Sequence, residues 1–153
     1  MFSEYERKNA GYRLLIKSKL CELALLFFRE LPETPPPTMQ KSNTGMYVNE
    51  RLECIMSFVF QNYDNPNITL ADAADATFVS KFHFTRFFRK HIGQSFHSYL
   101  SMVRVSHAVE NLLKTDMRIT DIAYQCGFSS LKTFNRVFKT YAGKSPSEYR
   151  ALR

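Results

Sequence analysis

Apolar residues return every three or four positions along most of this chain, the spacing of helices with one buried side. Over residues 12–31 the stripe is Ile16, Leu20, Leu23, Ala24, Phe27, Phe28 and Leu31. Lys17, Lys19, Glu22 and Arg29 lie off it, but so do Leu25 and Leu26, which makes this segment greasier than a lone surface helix should be. It needs a partner, either the rest of this chain or a second copy. Pro32, Pro35, Pro36 and Pro37 stop the helix, and the polar run to Gly45 extends the break. A linker over 32–46 follows. Residues 49–63 are helical again, with Leu52, Ile55, Met56, Val59, Phe60 and Tyr63 on one side. A turn around Pro66 leads to Thr69, which opens a short helix, Leu70 to Ala76, with Asp72 as its capping-box partner.

The most informative pattern runs from Ile119 to Arg150. It predicts two short helices joined by a tight turn, then a small closing helix. Gly127 sits where the first helix stops, and Ser129 and Ser130 are placed to cap the second. That second helix has unlike faces. Phe134, Val137, Phe138 and Tyr141 form an apolar stripe, while Lys132, Asn135, Arg136 and Lys139 form a donor-rich one. Ser145, Pro146 and Glu148 supply an N-cap, a first-turn proline and a capping-box carboxylate for the last helix.

The same arrangement occurs fifty positions earlier. Phe84, Phe88, Gly93, Ser95 and Tyr99 answer Phe134, Phe138, Gly143, Ser145 and Tyr149, and Arg86 and Arg89 answer Arg136 and Lys139. Here the inward set is Phe84, Phe87, Phe88 and His91, and the outward set is Phe82, Thr85, Arg86 and Arg89. Upstream the match slips by one residue, with Leu70, Ala73 and Ala74 answering Ile119, Ile122 and Ala123, a slip that a turn can absorb. An internal duplication is stronger support than either motif alone, since two stretches must agree. Between the copies lies Phe96 to Leu113, whose buried side is read as Tyr99, Leu100, Val103, His107, Ala108 and Leu112. Eighteen helical residues span about 27 Å. Major-groove faces on one side of B-DNA recur at about 34 Å. The connector thus has the scale needed to hold two reading helices one turn apart.

The formal net charge of +7 belongs to one part of the chain. Residues 70–153 hold thirteen Lys and Arg against six Asp and Glu, whereas residues 1–69 hold eight of each. The excess therefore lies in the duplicated region, as on a polyanion-binding surface. Cys21, Cys54 and Cys126 form no CxxC pair, suggest no disulfide framework or zinc knuckle, and fit a reducing cytoplasm as buried small hydrophobes. MFSEYERKNAG has acidic residues and no apolar core, so it is not a secretory signal. The longest apolar run, Leu23 to Phe28, is far below membrane-spanning length. No HExxH, GxSxG or Walker A pattern points to an enzyme, and no cofactor or metal site is expected. His83, His91, His97 and His107 lack a metal-ligand spacing.

Together these residues resemble the AraC/XylS family of bacterial transcription regulators over about residues 49–150. The most specific part is Ile119-Thr120-Asp121-Ile122-Ala123, then Gly127-Phe128, Phe134, Phe138, Gly143, Pro146, Tyr149 and Arg150. The first copy matches through Leu70, Ala74, Ser80, Phe84, Arg86, Phe88, Gly93, Ser95 and Tyr99. Arg104, Ala108, Leu112 and Leu113 match the connector. The resemblance implies an all-α, seven-helix DNA-binding domain over 47–153. Its two helix-turn-helix lobes (49–95 and 117–150) are joined by the connector helix 96–113, and the extra helix within 1–31 precedes them. It also implies a cytoplasmic transcription activator acting on double-stranded DNA and contacting RNA polymerase. Residues 1–31 are too short for the sensor barrel many members carry. They resemble the helical end of one and are a candidate homodimer contact over 12–31. The chain is then either the C-terminal part of a longer regulator or a short regulator without its own sensor.

Two helices, 80–92 and 130–142, are read as the recognition helices. Phe82, Thr85 and Arg86 are expected to face base edges in the first lobe, and Leu131, Lys132, Asn135 and Arg136 in the second. Arginine can bridge guanine O6 and N7, asparagine can pair with adenine, and apolar groups can touch a thymine methyl. Ser80, Arg89, Ser130 and Lys139 are expected on phosphates. Arg104 is read as structural. Phe82 either touches thymine methyls and sugar or completes the core, and the outward spacing favours DNA. Phe78 is the main departure from the family pattern. It stands where the turn usually has glycine, so either the turn differs or the first lobe is less ordered. The reading from a different class is a helical protein-interaction module, which would not call for matched basic stripes in two repeats.

Overall fold

A computed structural model describes residues 48–153, and among these every regular element is a helix. In chain order they are α1 (Val48–Asn62), α2 (Leu70–Ala76), α3 (Lys81–Ile92), α4 (Phe96–Lys114), α5 (Ile119–Gln125), α6 (Leu131–Ala142) and α7 (Pro146–Arg150). The helix expected over 12–31 and the linker over 32–46 lie outside the described residues. Every other expected helix is present, with ends displaced by no more than a residue or two.

The caps follow the sequence. Thr69 and Asp72 form a full capping box on α2, and Ser145 and Glu148 form another on α7. Ser80, Ser95 and Ser130 cap α3, α4 and α6, each accepting a hydrogen bond from a backbone N–H in the first turn. Gly93 and Gly143 end α3 and α6 in the left-handed conformation, both at φ 78°.

The duplication is visible in the core as repeated ring contacts. Phe84 and Phe88 lie 5.6 Å apart, and their counterparts Phe134 and Phe138 lie 5.4 Å apart. Phe88 meets Tyr99 edge-on at 5.6 Å, and Phe138 meets Tyr149 edge-on at 5.7 Å. Such pairs add roughly 0.5–1.5 kcal/mol each beyond the area they bury. They pin each reading helix to the element that follows it, α3 to α4 and α6 to α7.

The connector α4 runs unbroken for 19 residues, a length of about 28 Å. Phe96, Tyr99, Leu100, Met102, Val105, Ala108, Val109 and Leu112 are buried along it. Val103 is half-buried, and His107 stacks on Tyr63 with ring centroids 4.0 Å apart. Near its start, the Ser98 carbonyl accepts a hydrogen bond from the Tyr141 hydroxyl at 2.9 Å, tying α4 to the end of α6. Cys126 is buried, and burial pushes its thiol up to about 12. Cys54 is half-buried and directs its Sγ at the Ala76 carbonyl.

Three expectations are corrected. On α1 the buried set is Arg51, Ile55 and Val59, and Phe60 is 46 % exposed. The packing face follows the i, i+4, i+8 row of these three residues, and Phe60 falls one position past it. Arg51 is accommodated because its guanidinium lies 5.2 Å from the centroid of the Phe87 ring. On α3, His91 is exposed and leans on the half-buried Phe87. Finally, the first turn does not differ from the second. Phe78 adopts φ 55° where Gly127 has φ 77°, and the backbone bonds agree. Phe78 N–H donates to Asp75 and Val79 N–H to Ala74, as Gly127 does to Tyr124 and Phe128 to Ala123. A left-handed phenylalanine costs about 1–2 kcal/mol relative to the ordinary backbone regions. The one-residue slip is taken up just after the turn, where Ser129 stands between Phe128 and the cap Ser130 while Val79 runs straight into the cap Ser80.

Candidate nucleic-acid interface

The helices α3 and α6 are each held by an inner row of aromatic and aliphatic side chains, which leaves the opposite face in water. Phe84 and Phe88 anchor α3; Phe134, Val137, Phe138 and Ala142 anchor α6. Neither helix contains an aspartate or glutamate. Lys81, Arg86, Arg89 and Lys90 on α3 are exposed, and so are Lys132, Arg136 and Lys139 on α6. Seven cations thus stand on two helices without a carboxylate of their own.

Of the residues expected to read bases, Phe82 is 65 % exposed and is not part of the core. Arg86 is exposed and its guanidinium lies 5.6 Å from the centroid of the Phe82 ring. The ring and the cation therefore form one outward unit on α3. Thr85 is exposed, and its hydroxyl donates to the Lys81 carbonyl at 2.8 Å. On α6, Lys132, Asn135 and Arg136 are exposed, whereas Leu131 is half-buried against the core. Leu131 thus has a packing role, and only part of its surface is free to touch a partner. Neither Arg86 nor Arg136 has a carboxylate partner among the ion pairs of the described residues.

The residues expected on phosphates divide into two kinds. Arg89 and Lys139 are exposed cations near the C-terminal ends of their helices. Ser80 and Ser130 are N-caps whose oxygens already accept from His83 N–H at 3.4 Å and Thr133 N–H at 3.2 Å. The Ser80 hydroxyl hydrogen is what remains for a phosphate, whereas the Ser130 hydroxyl donates to the Thr133 hydroxyl at 3.0 Å. Lys81 and Thr133 belong to the same exposed surface and were not in the expected set. Their position in the first helical turn, where reading helices meet base edges, is the signal that could have found them.

Arg104 is half-buried and makes structural contacts. Its Nε donates to the Tyr63 carbonyl and a terminal nitrogen donates to the Asn65 carbonyl, both at 2.7 Å. The guanidinium also lies 5.8 Å from the centroid of the Phe128 ring. Gly127 closes the same junction. A Cβ there would come within 2.3 Å of the Tyr63 carbonyl oxygen, so only glycine fits. The second turn is therefore seated on the bend between α1 and α2, and α6 is fixed relative to the first half by contacts as well as by the connector.

Among the described residues, no cluster of three or more His, Cys, Asp or Glu side chains could hold a metal ion, and no helix is long and apolar enough to cross a membrane. The helix-turn-helix domain family matches residues 73–152. An uncharacterised helix-turn-helix transcriptional regulator of Staphylococcus aureus strain COL is 27 % identical over 153 residues, which is all of this chain and 20 % of that protein. The chain spans about a fifth of the length of the staphylococcal relatives it matches. A Chromobacterium violaceum transcriptional regulator described by its AraC-type DNA-binding domain superposes with a TM-score of 0.62 at 26 % identity, covering 67 % of this chain and 90 % of that one. The DNA-binding domain of AdpA, a global transcriptional factor solved with a target DNA, gives a TM-score of 0.61 at 26 % identity, covering 64 % and 87 %.

Proposed function

The chain belongs to the AraC-type helix-turn-helix family, and on that premise we propose that it is a sequence-specific regulator of transcription that sets α3 and α6 into successive major grooves of one DNA duplex. The observation that carries this reading is the pairing of two capped, carboxylate-free helices whose exposed faces bear Arg86 and Arg89 on one and Arg136 and Lys139 on the other. Residues 49–95 form the first reading unit and 117–150 the second, with α4 as the spacer.

Each unit divides its work by chemistry. Phe82, Thr85 and Arg86, and Lys132, Asn135 and Arg136, meet base edges. Arginine bridges guanine and asparagine pairs with adenine, while the Phe82 ring lies on a thymine methyl. Arg89 and Lys139 neutralise phosphates and set the register. AdpA's DNA-binding domain, which shares this fold, was solved on a target DNA, and that supports duplex DNA as the partner here. Activation through contact with RNA polymerase, in the cytoplasm, follows from the family reading.

The test is selection of bound duplexes from a random pool by the full chain, followed by gel-shift titration at physiological salt. The expected product is a site with two half-motifs about one helical turn, or roughly 10 base pairs, apart. An unenriched pool, with equal affinity for selected and random duplexes, would reject the reading and leave a helical protein-interaction module.

A further inference from the structure

The two reading faces differ in what they hold out. Positions 82, 85 and 86 on α3 answer positions 132, 135 and 136 on α6. On α6 these are Lys132, Asn135 and Arg136, three exposed side chains rich in donors. On α3 they are Phe82, Thr85 and Arg86. The Thr85 hydroxyl spends its one hydrogen on the Lys81 carbonyl at 2.8 Å, and the Phe82 side chain has none to give. Arg86 is therefore the one member of the first trio with side-chain donors left for a base edge. The first face asks for an apolar counterpart beside a single hydrogen-bonded base.

The placement of Phe82 against Arg86 narrows that counterpart. A single exposed ring is ordinary on a protein surface. This one lies on the side of α3 opposite the buried Phe84 and Phe88, is 65 % exposed, and holds the Arg86 guanidinium 5.6 Å from its centroid. Four positions apart is about one helical turn, so ring and cation stand side by side along α3. Parting them gives up their attraction, so Phe82 stays close to whatever base Arg86 bonds. The planar fork of arginine suits guanine O6 and N7. Successive base pairs lie about 3.4 Å apart along the duplex axis, and pairs two steps apart lie about 6.8 Å apart. A separation of 5.6 Å falls short of the second pair, so the ring meets the pair next to the guanine. The apolar mark that a ring can find in the major groove is the C5-methyl group of thymine. Cytosine has the same carbon without the methyl, and methylation there gives it thymine's apolar mark.

Resting on the DNA reading above, we propose that the first lobe recognises a guanine beside a base pair that carries a 5-methyl group, on thymine or on 5-methylcytosine alike. Arg86 bonds the guanine, and Phe82 covers the methyl and steadies the arginine.

The test uses the full chain and the duplex selected from the random pool. Arg86→Ala identifies the first half-motif as the one in which preference for a guanine is lost, and thymine is expected in a pair adjacent to that guanine. Synthetic duplexes then carry thymine, deoxyuridine, 5-methylcytosine or cytosine at that place, each with its complement, and gel-shift titration compares them. Thymine should bind about fourfold more tightly than deoxyuridine, and 5-methylcytosine about fourfold more tightly than cytosine, the effect of burying one methyl group. Both ratios should fall to about one in Phe82→Ala and in Phe82→Lys, the second of which carries the residue that α6 has at this place. Preferences in the second half-motif should persist in both variants. Equal binding with and without the methyl in the parent chain overturns the proposal. So do ratios that survive in the Phe82 variants, or a selected site without thymine beside the guanine. Each of these leaves two selected half-motifs, and with them the DNA reading, in place. A pool with no enriched site removes the reading and the proposal together.

Discussion

Arg104 and Tyr63 are joined across 41 positions of sequence, the arginine Nε donating to the tyrosine carbonyl at 2.7 Å. This bond links the middle of the connector to the bend between α1 and α2, and the same guanidinium lies over Phe128 in the second half. Three parts of the molecule therefore meet on one side chain. Burial lowers the pKa of Arg104.

Arg104→Met is expected to destabilise the protein by about 2–3 kcal/mol, because two carbonyls lose a charged donor in a half-buried site. Arg104→Lys should recover little of this, since an ammonium cannot reach both carbonyls as a planar fork does. Urea unfolding followed by circular dichroism measures both. A loss below about 0.5 kcal/mol, the usual surface range, would count against the junction.

Glycines at the same φ should differ in how much they resist substitution. Gly127→Ala brings a methyl within 2.3 Å of a backbone oxygen in addition to left-handed strain, and should cost about 3 kcal/mol or more. Gly93 has the same φ and nothing within 4 Å of an added Cβ, so Gly93→Ala should cost only about 1–2 kcal/mol. Thermal melts of the two variants give the comparison, and equal losses would contradict the close approach at Gly127.

On the DNA reading, Arg136→Ala should lose about 1–3 kcal/mol and relax one base position, while Lys139→Ala should weaken all sequences alike and reduce the salt slope by about one. Binding to single-base variants of a selected site, at several salt concentrations, separates these effects. Uniform loss across base variants for Arg136→Ala, or an unchanged slope for Lys139→Ala, would reassign the residue.

The capping boxes predict an acid-side loss of stability. Hydrogen bonds from the Ser145 hydroxyl and backbone hold Glu148 below the usual carboxylate range, and those from the Thr69 backbone and hydroxyl do the same for Asp72. A carboxylate whose folded pKa is depressed supports the fold above its unfolded pKa and loses that support as pH falls through the folded one. Stability should therefore decline below about pH 4.5, the region where free carboxylates protonate. Melts of Glu148→Gln and Asp72→Asn across this range should be flatter than those of the parent, and parallel curves would refute the role of the caps.

Much of this was legible because it depends on residues close in sequence. The caps at Thr69, Ser130 and Ser145, the left-handed ends at Gly93 and Gly143, and the inward rows around Phe84 and Phe134 all follow from local spacing. The repeat made them firmer, since each feature could be checked against its counterpart. What escaped depends on how distant parts approach. Nothing local to Arg51 says that a charged residue will be buried over Phe87 while Phe60 stays exposed. The constraint on Gly127 comes from Tyr63, 64 positions earlier. Phe78 stands out by its residue type, yet its turn keeps the same backbone bonds as the second, a match that residue type alone does not reveal. In the candidate site, Leu131 is the residue whose partial burial its helical position did not reveal.

The extra serine between Phe128 and the cap of α6 has a practical meaning for anyone rebuilding this molecule. Both turns fold identically up to Val79 and Phe128, yet one helix begins immediately and the other after a pause of one residue. A helix advances about 100° per residue, so transplanting the α6 sequence behind Val79 without Ser129 carries the donor's cap but not its lead-in. Engineers exchanging specificity modules between the halves should cut before the turn, at Thr77 and Cys126, and move turn, spacer and helix as one cassette.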